Sequence, residues 1–303
     1  MVRAASLHYV ENLSRVQIAA ELGVSRFKVA RLLEQSVAQG IVSIEIGVPG
    51  SVDLDLSIAL REHFNLRRAI VVITPSTAPE VVQESLGRVG AQLLTEIVED
   101  GDVLGVTAGR TLSHLARHVK QLAHCEVVQL TGVAGPDKEN SVEVVRQIAR
   151  VAGGRGYSIF APLLVRDAAT AQALHGDPVI KETFRRFGSV TKAIVAIGSW
   201  DPPDSQLYAN ASRLGILDDL LAQNVRAEVA ATLLDGEGIE VNATSDRSIA
   251  ISTSQLRAIP DVVGVAGGAL KVNAVRSAIL SGLITSVVTD ARLARRLLAT
   301  DSH

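Results

Sequence analysis

The sequence predicts an α/β protein in two parts: an N-terminal helix-turn-helix module of winged type over residues 1–50 and a Rossmann-like α/β domain over residues 51–303. Two patterns carry this reading. Residues 14–35 combine two apolar helical phases with a turn glycine and a capping serine between them. Beyond residue 51, short β-branched runs alternate with longer helical ones, the rhythm of a parallel sheet covered on both faces. The length of 303 residues is ample for two domains.

Residues 4–11 read as a short helix with Leu7 and Val10 inward. Ile18, Ala19 and Leu22 give a second helix one apolar face, and Gly23 stands where the chain leaves it, a position suited to positive φ. Ser25 is placed to cap the next helix, whose Val29, Leu32 and Leu33 return at helical spacing. Ser25, Arg26, Lys28 and Arg31 then lie at the start or on the outer face of the helix that such motifs set into the DNA major groove. An ordinary helical hairpin with a solvated face is the bland alternative, but the ordered set of small Ala, turn Gly and capping Ser favours DNA. Residues 40–47 alternate in polarity like a half-buried strand, which makes the module winged, and Pro49, Gly50 and Ser51 close it.

In the larger part, residues 53–64 read as a connecting helix. Strands are expected at 69–73, 102–106, 127–130, 193–197, 262–266 and 286–289. Helices are expected at 80–99, 110–119, 142–152, 269–281 and 291–299. No internal repeat or low-complexity tract interrupts them.

Composition narrows the function. Hydrophobic residues make up 47% and charged residues 20%, while aromatics are only 3%, so the core is built from Val, Ile, Leu and Ala. A net charge of −2 excludes a protein that coats nucleic acid by charge alone. The first 50 residues hold five Lys/Arg against four Asp/Glu, so DNA binding must rest on cation placement and on several linked copies. A homodimer or homotetramer is therefore expected. Cys125 is the only cysteine, which rules out an intrachain disulfide and a thiolate cluster, and beside a strand it reads as core. His114 and His118 share a helix face, with His124 nearby, but no acidic ligand accompanies them in sequence, so no metal is expected. No cofactor is expected either. No apolar run reaches membrane-spanning length and no signal segment is evident, which points to the cytoplasm.

Ligands of open α/β sheets bind at the carboxyl ends of strands. Two strand-to-helix junctions have suitable chemistry. At the first, Gly109 lets an anion approach the backbone while Thr107, Arg110 and Thr111 supply donors at a helix start. At the second, Gly267 and Gly268 precede a helix with Lys271 one turn inside. Neither junction is a nucleotide fingerprint, and either could be only a tight turn. Together they point to a small phosphorylated ligand. Ser199, Asp204 and Ser205 follow another strand, and Glu228 and Asp235 flank the apolar run 229–234. Ionised carboxylates there suit sugar hydroxyls.

These residues, with 105–112, 160–164, 197–199, 234–236 and 267–271, resemble the SorC/DeoR-type sugar-responsive transcriptional regulators over nearly the whole chain. The resemblance implies an effector domain similar to the glucosamine-6-phosphate deaminase and ribose-5-phosphate isomerase folds, without catalysis. It also implies a phosphorylated sugar effector and a tetramer on double-stranded operator DNA. Position by position, it assigns Gly109, Arg110 and Thr111 to a phosphate loop, Lys271 to the cation of a Gly-Gly-x-x-Lys motif and Asp235 to an acid near the sugar. A sugar-phosphate isomerase or deaminase with an accessory N-terminal module is the alternative, with Asp204, Glu228 and Asp235 as candidate bases. A nucleotide-binding scaffold is a weaker third, disfavoured by the missing fingerprints.

Overall fold

The computed structural model describes residues 1–42, 52–134 and 141–300, and the chain divides into two units, residues 1–49 and 50–303. In the first, α1 (Val2–Tyr9), α2 (Arg15–Leu22) and α3 (Arg26–Ala38) pack around Ala4, Leu7, Ile18, Val29 and Leu33. Ser14 and Gln17 form a reciprocal capping box at the start of α2. Gly23 ends that helix at φ 64°, in the left-handed region a side chain resists. The Ser25 hydroxyl accepts from Lys28 N at 3.2 Å and so caps α3. Residues 43–47, which carry most of the expected wing strand, lie outside the described residues.

The second unit opens with α4 (Leu54–His63), capped by Asp53. Then come β1 (Arg68–Val72), α5 (Pro79–Ile97), β2 (Val103–Val106), α6 (Arg110–His118), β3 (Glu126–Gln129), α7 (Ser141–Ala152) and β4 (Gly156–Tyr157). After α8 (Ala168–Gly176) and α9 (Pro178–Arg186), the long strand β5 (Lys192–Trp200) is followed by β6 (Pro203–Asp204), α10 (Gln206–Arg213) and α11 (Leu217–Ala222). The hairpin β7 (Ala227–Val229) and β8 (Thr232–Leu234) precedes α12 (Thr253–Ala258), β9 (Asp261–Val265), α13 (Val272–Leu280), β10 (Ser286–Asp290) and α14 (Ala291–Thr300).

Seven strands form a parallel sheet in the order β1-β10-β9-β5-β2-β3-β4. Successive residues of a strand feed opposite cores. Val71, Val128, Val195 and Val287 join one apolar cluster, whereas Val72, Val127, Ile194 and Val288 join the other with α5, α6 and α7. This is the doubly covered α/β sheet that the alternating runs predict. All six expected strands are present, five with ends shifted by at most one residue and β5 running three residues past its expected end to Trp200, while β4 and β6 to β8 are additional. The expected helix 269–281 is split: Ala269–Lys271 is a 3-10 turn, and α13 starts only at Val272.

The upper end of β5 continues past the parallel sheet. There it pairs antiparallel with β6 and with β7, whose own partner is β8. This small antiparallel extension stands over the carboxyl ends of β2, β5 and β9 and builds one wall of a cavity.

Candidate functional site

The cavity has a volume of ≈ 430 Å³. Its floor is made by strand ends: Thr107 after β2, Ala196 to Gly198 in β5, and Val265 at the end of β9. Thr107 is buried, and its hydroxyl accepts from Ala196 N at 3.0 Å, which ties the two strand ends together. Gly109 follows at φ 150° and lets the chain turn directly into α6, so Gly109, Arg110 and Thr111 line the cavity at a helix N-terminus.

Lys271 enters the same cavity from the other side of β5. Two cations from separate strand-to-helix junctions thus converge, and Asp204 of β6 bridges them. Its Oδ1 accepts from Arg110 Nη2 and its Oδ2 lies 2.8 Å from Lys271 Nζ. Burial and the nearby Arg110 charge push the Lys271 ammonium down to about 8, with Glu228 working in the opposite direction.

Glu228 sits on the opposing wall, on β7. Its Oε2 accepts from Trp200 Nε1 at 3.0 Å and from Ser205 Oγ at 2.6 Å. Burial nevertheless raises its pKa above the ordinary carboxylate value, with those hydrogen bonds and Lys271 offsetting only part of the effect. Gly198 stands directly opposite Glu228 in the β5–β7 register. A Cβ there would lie 2.5 Å from Glu228 Cγ, so the missing side chain is the space the carboxylate occupies. Ser205 also caps α10 by accepting from Tyr208 N at 3.1 Å.

Eight of the twelve residues expected around a ligand therefore meet in one cavity: Thr107, Gly109, Arg110, Thr111, Asp204, Ser205, Glu228 and Lys271. The other four lie elsewhere, each for a physical reason. Ser199 is buried in β5 outside the cavity lining, and its hydroxyl has no hydrogen-bond partner. Asp235 closes its own turn by accepting from Glu237 N and Ile239 N at 2.9 and 2.8 Å. Gly267 packs so tightly that a Cβ would meet Leu86 Cδ1 at 2.5 Å, and Gly268 N donates to Asp290 Oδ2 at 2.6 Å. These two glycines shape the junction, and only Lys271 from it reaches the cavity.

Gln83 of α5, Thr131 and Tyr208 also line the cavity and carry no sequence signal, whereas the lining residues Leu163, Ala230 and Ala231 lie in the segments 160–164 and 229–234 that the sequence singles out. Trp200 is fully buried and does not line the cavity, but its Nε1 holds the Glu228 carboxylate that does. Elsewhere, Glu84 of α5 meets both His114 Nδ1 and His118 Nε2, an acid thirty residues away in sequence. Burial works against it, but the hydrogen bonds from His118 and His114 hold the Glu84 carboxyl below its ordinary value. Among the described residues, no group of three or more His, Cys, Asp or Glu is arranged to hold a metal ion. Cys125 is buried, and burial pushes its thiol up to about 11, the behaviour of a core residue.

In the first unit, Ser25, Arg26, Lys28 and Arg31 are all exposed along the start of α3. Phe27 joins them at 70% exposure, with the Arg26 guanidinium 5.0 Å from its ring centroid. An aromatic ring so exposed beside those cations is a surface group the helical spacing alone does not single out.

Residues 49–299 match a family model described as "Putative sugar-binding domain". The chain is also 30% identical to the uncharacterized transcriptional regulator YjhU of Escherichia coli K12, over 99% of this chain and 94% of that one. The chain belongs to the SorC/DeoR-type family of sugar-responsive transcriptional regulators. This SorC/DeoR-type regulator is 29% identical to the deoxyribonucleoside regulator of Bacillus subtilis strain 168, over 98% and 96% of the two chains. Among solved structures it matches the full-length sorbitol operon regulator SorC of Klebsiella pneumoniae with a TM-score of 0.86. That match has 25% identity and covers 98% of this chain and 97% of that one. The relatives are named as regulators, and the isomerase or deaminase alternative is set aside on that ground. Among the described residues, no helix is long and apolar enough to cross a membrane.

Proposed function

We propose that this regulator binds double-stranded operator DNA through its N-terminal unit and that a small phosphorylated sugar in the cavity controls that binding. In this reading α2 and α3 are a helix-turn-helix, and Arg26, Lys28 and Arg31 face the major groove with Ser25 at the helix start. The larger unit is the effector and assembly domain, similar in kind to the glucosamine-6-phosphate deaminase and ribose-5-phosphate isomerase folds. Two or four copies bind repeated half-sites.

The observation that carries the effector assignment is the convergence of Arg110 and Lys271, from two different strand-to-helix junctions, in one cavity at the carboxyl ends of the strands. A guanidinium, an ammonium and the amides of the Gly109 turn are donor chemistry for a phosphate. Glu228, held by Trp200 and Ser205 on the facing wall, is acceptor chemistry for sugar hydroxyls.

The test begins by selecting duplexes from a random library with the full-length protein. Fluorescence anisotropy on a selected duplex then follows affinity across a panel of sugar phosphates and their unphosphorylated counterparts. The expected result is that one phosphorylated sugar changes DNA affinity at least about fivefold, the lower end of ordinary coupling between sites. Failure to select any duplex, or DNA affinity indifferent to the whole panel, would contradict the proposal.

A further inference from the structure

Asp204 stands where a ligand's anion is expected. Its two carboxylate oxygens are divided between cations from two other junctions, Arg110 and Lys271. All three side chains line the cavity. Asp204 retains 32% side-chain exposure and Lys271 19%, so the bridge is open to exchange with solvent species. A carboxylate that accepts from a guanidinium and an ammonium offers the same acceptor chemistry as a phosphate, with one negative charge instead of nearly two.

We propose that Asp204 is a specificity-determining residue, an internal counter-ion that holds Arg110 and Lys271 between ligands and yields them only to a more highly charged anion. The proposal rests on the reading that these two cations take the ligand's phosphate. A neutral sugar offers only hydroxyls, and displacing the carboxylate with them would leave the two like charges of Arg110 and Lys271 facing each other without a counter-charge. A phosphate dianion restores the balance. The cavity then discriminates by charge before it discriminates by sugar shape. Each ligand also competes with Asp204, so measured affinity falls by the fraction of time the carboxylate occupies the cations.

A direct contact between Asp204 and the sugar would have the opposite sign, which makes the two roles separable. Inorganic phosphate is titrated calorimetrically, at fixed ionic strength, onto the full-length protein and onto Asp204→Asn, Asp204→Ser and Lys271→Ala. Asn keeps the size of the side chain, and Ser separates charge from shape. Both Asp204 variants are expected to bind phosphate about tenfold more tightly, corresponding to a carboxylate that occupies the cations about nine-tenths of the time. Lys271→Ala is expected to bind more weakly. Equal or weaker binding in both Asp204 variants, with wild type binding phosphate and Lys271→Ala losing it, overturns the counter-ion role alone. Absence of phosphate binding in wild type and every variant overturns the phosphate-site reading, and this proposal with it.

Discussion

Trp200 Nε1 donates to Glu228 Oε2 at 3.0 Å, so the sole tryptophan of the chain fixes a carboxylate on the cavity wall from a fully buried position. Trp200→Phe keeps the aromatic packing and removes that donor. Leaving the enclosed carboxylate one hydrogen bond short should cost roughly 1–3 kcal/mol of stability. Urea denaturation measures it. Gly198→Ala should act on the same group by crowding, because its Cβ would lie 2.5 Å from Glu228 Cγ. Sugar affinity should fall in both variants, and an unchanged affinity in both would remove Glu228 from the ligand's contacts.

Lys271 supplies a pH dependence. Its ammonium titrates at about 8, far below its ordinary value, because burial and Arg110 disfavour the charge. Below that pH the cation is present; above it the site loses a positive charge. Affinity for a phosphorylated ligand should therefore decline as pH rises through about 8, and binding near that pH should take up protons. Calorimetry in two buffers of different ionisation enthalpy reads the uptake. In Lys271→Ala the pH dependence should vanish, with a loss of roughly 1.5–3 kcal/mol in affinity.

Acid stability depends on a different group. Burial works against the Asp102 carboxyl, but hydrogen bonds from Lys192, Glu99 N and Thr191 hold it below the ordinary value of 3.8. A depressed folded-state pKa contributes stability that is present above the unfolded value and lost as pH falls through the folded one. Asp102→Asn should lower stability at neutral pH and flatten its fall below about pH 3.8. Parallel acid titrations of wild type and variant, followed by circular dichroism, show whether the two profiles converge as predicted.

How much of this was legible in the chain follows from the physics of each signal. Helix caps and turn glycines are local, so Gly23 and Ser25 announce the first unit directly. Buried parallel strands are continuous β-branched runs, and all six expected ones are present. The run 229–234 hid a hairpin because its turn is Ala230-Ala231, both at positive φ (48° and 72°), where Gly or Asn would be the readable signal. Asp204 and Asp235 look alike in sequence, and only folding decides that one bridges two cations while the other caps its own turn. The cavity itself is a tertiary fact, since Lys271 and Arg110 are separated by most of the domain.

On the DNA side, Arg26→Ala, Lys28→Ala and Arg31→Ala should each weaken duplex binding. A base contact should cost about 1–3 kcal/mol and relax preference at one position, whereas a phosphate contact should weaken all sequences alike and reduce the salt slope by about one. Phe27 is 70% exposed beside Arg26 and Lys28, and if α3 enters the major groove its ring is expected to pack on a thymine methyl. Replacing single thymines by uracil should weaken wild type at one position and leave Phe27→Ala indifferent there. Unchanged binding in all four variants would take α3 out of the interface.

Effector control in this regulator is proposed to rest on recognition of a phosphate by the cavity. The most direct measurement is calorimetric titration of a phosphorylated sugar and its dephosphorylated counterpart onto the full-length protein, repeated on Thr111→Ala and Lys271→Ala. A clear preference for the phosphorylated form is expected, diminished by both substitutions while operator binding persists. Equal affinity for the two sugars, or no loss in either variant, would contradict it.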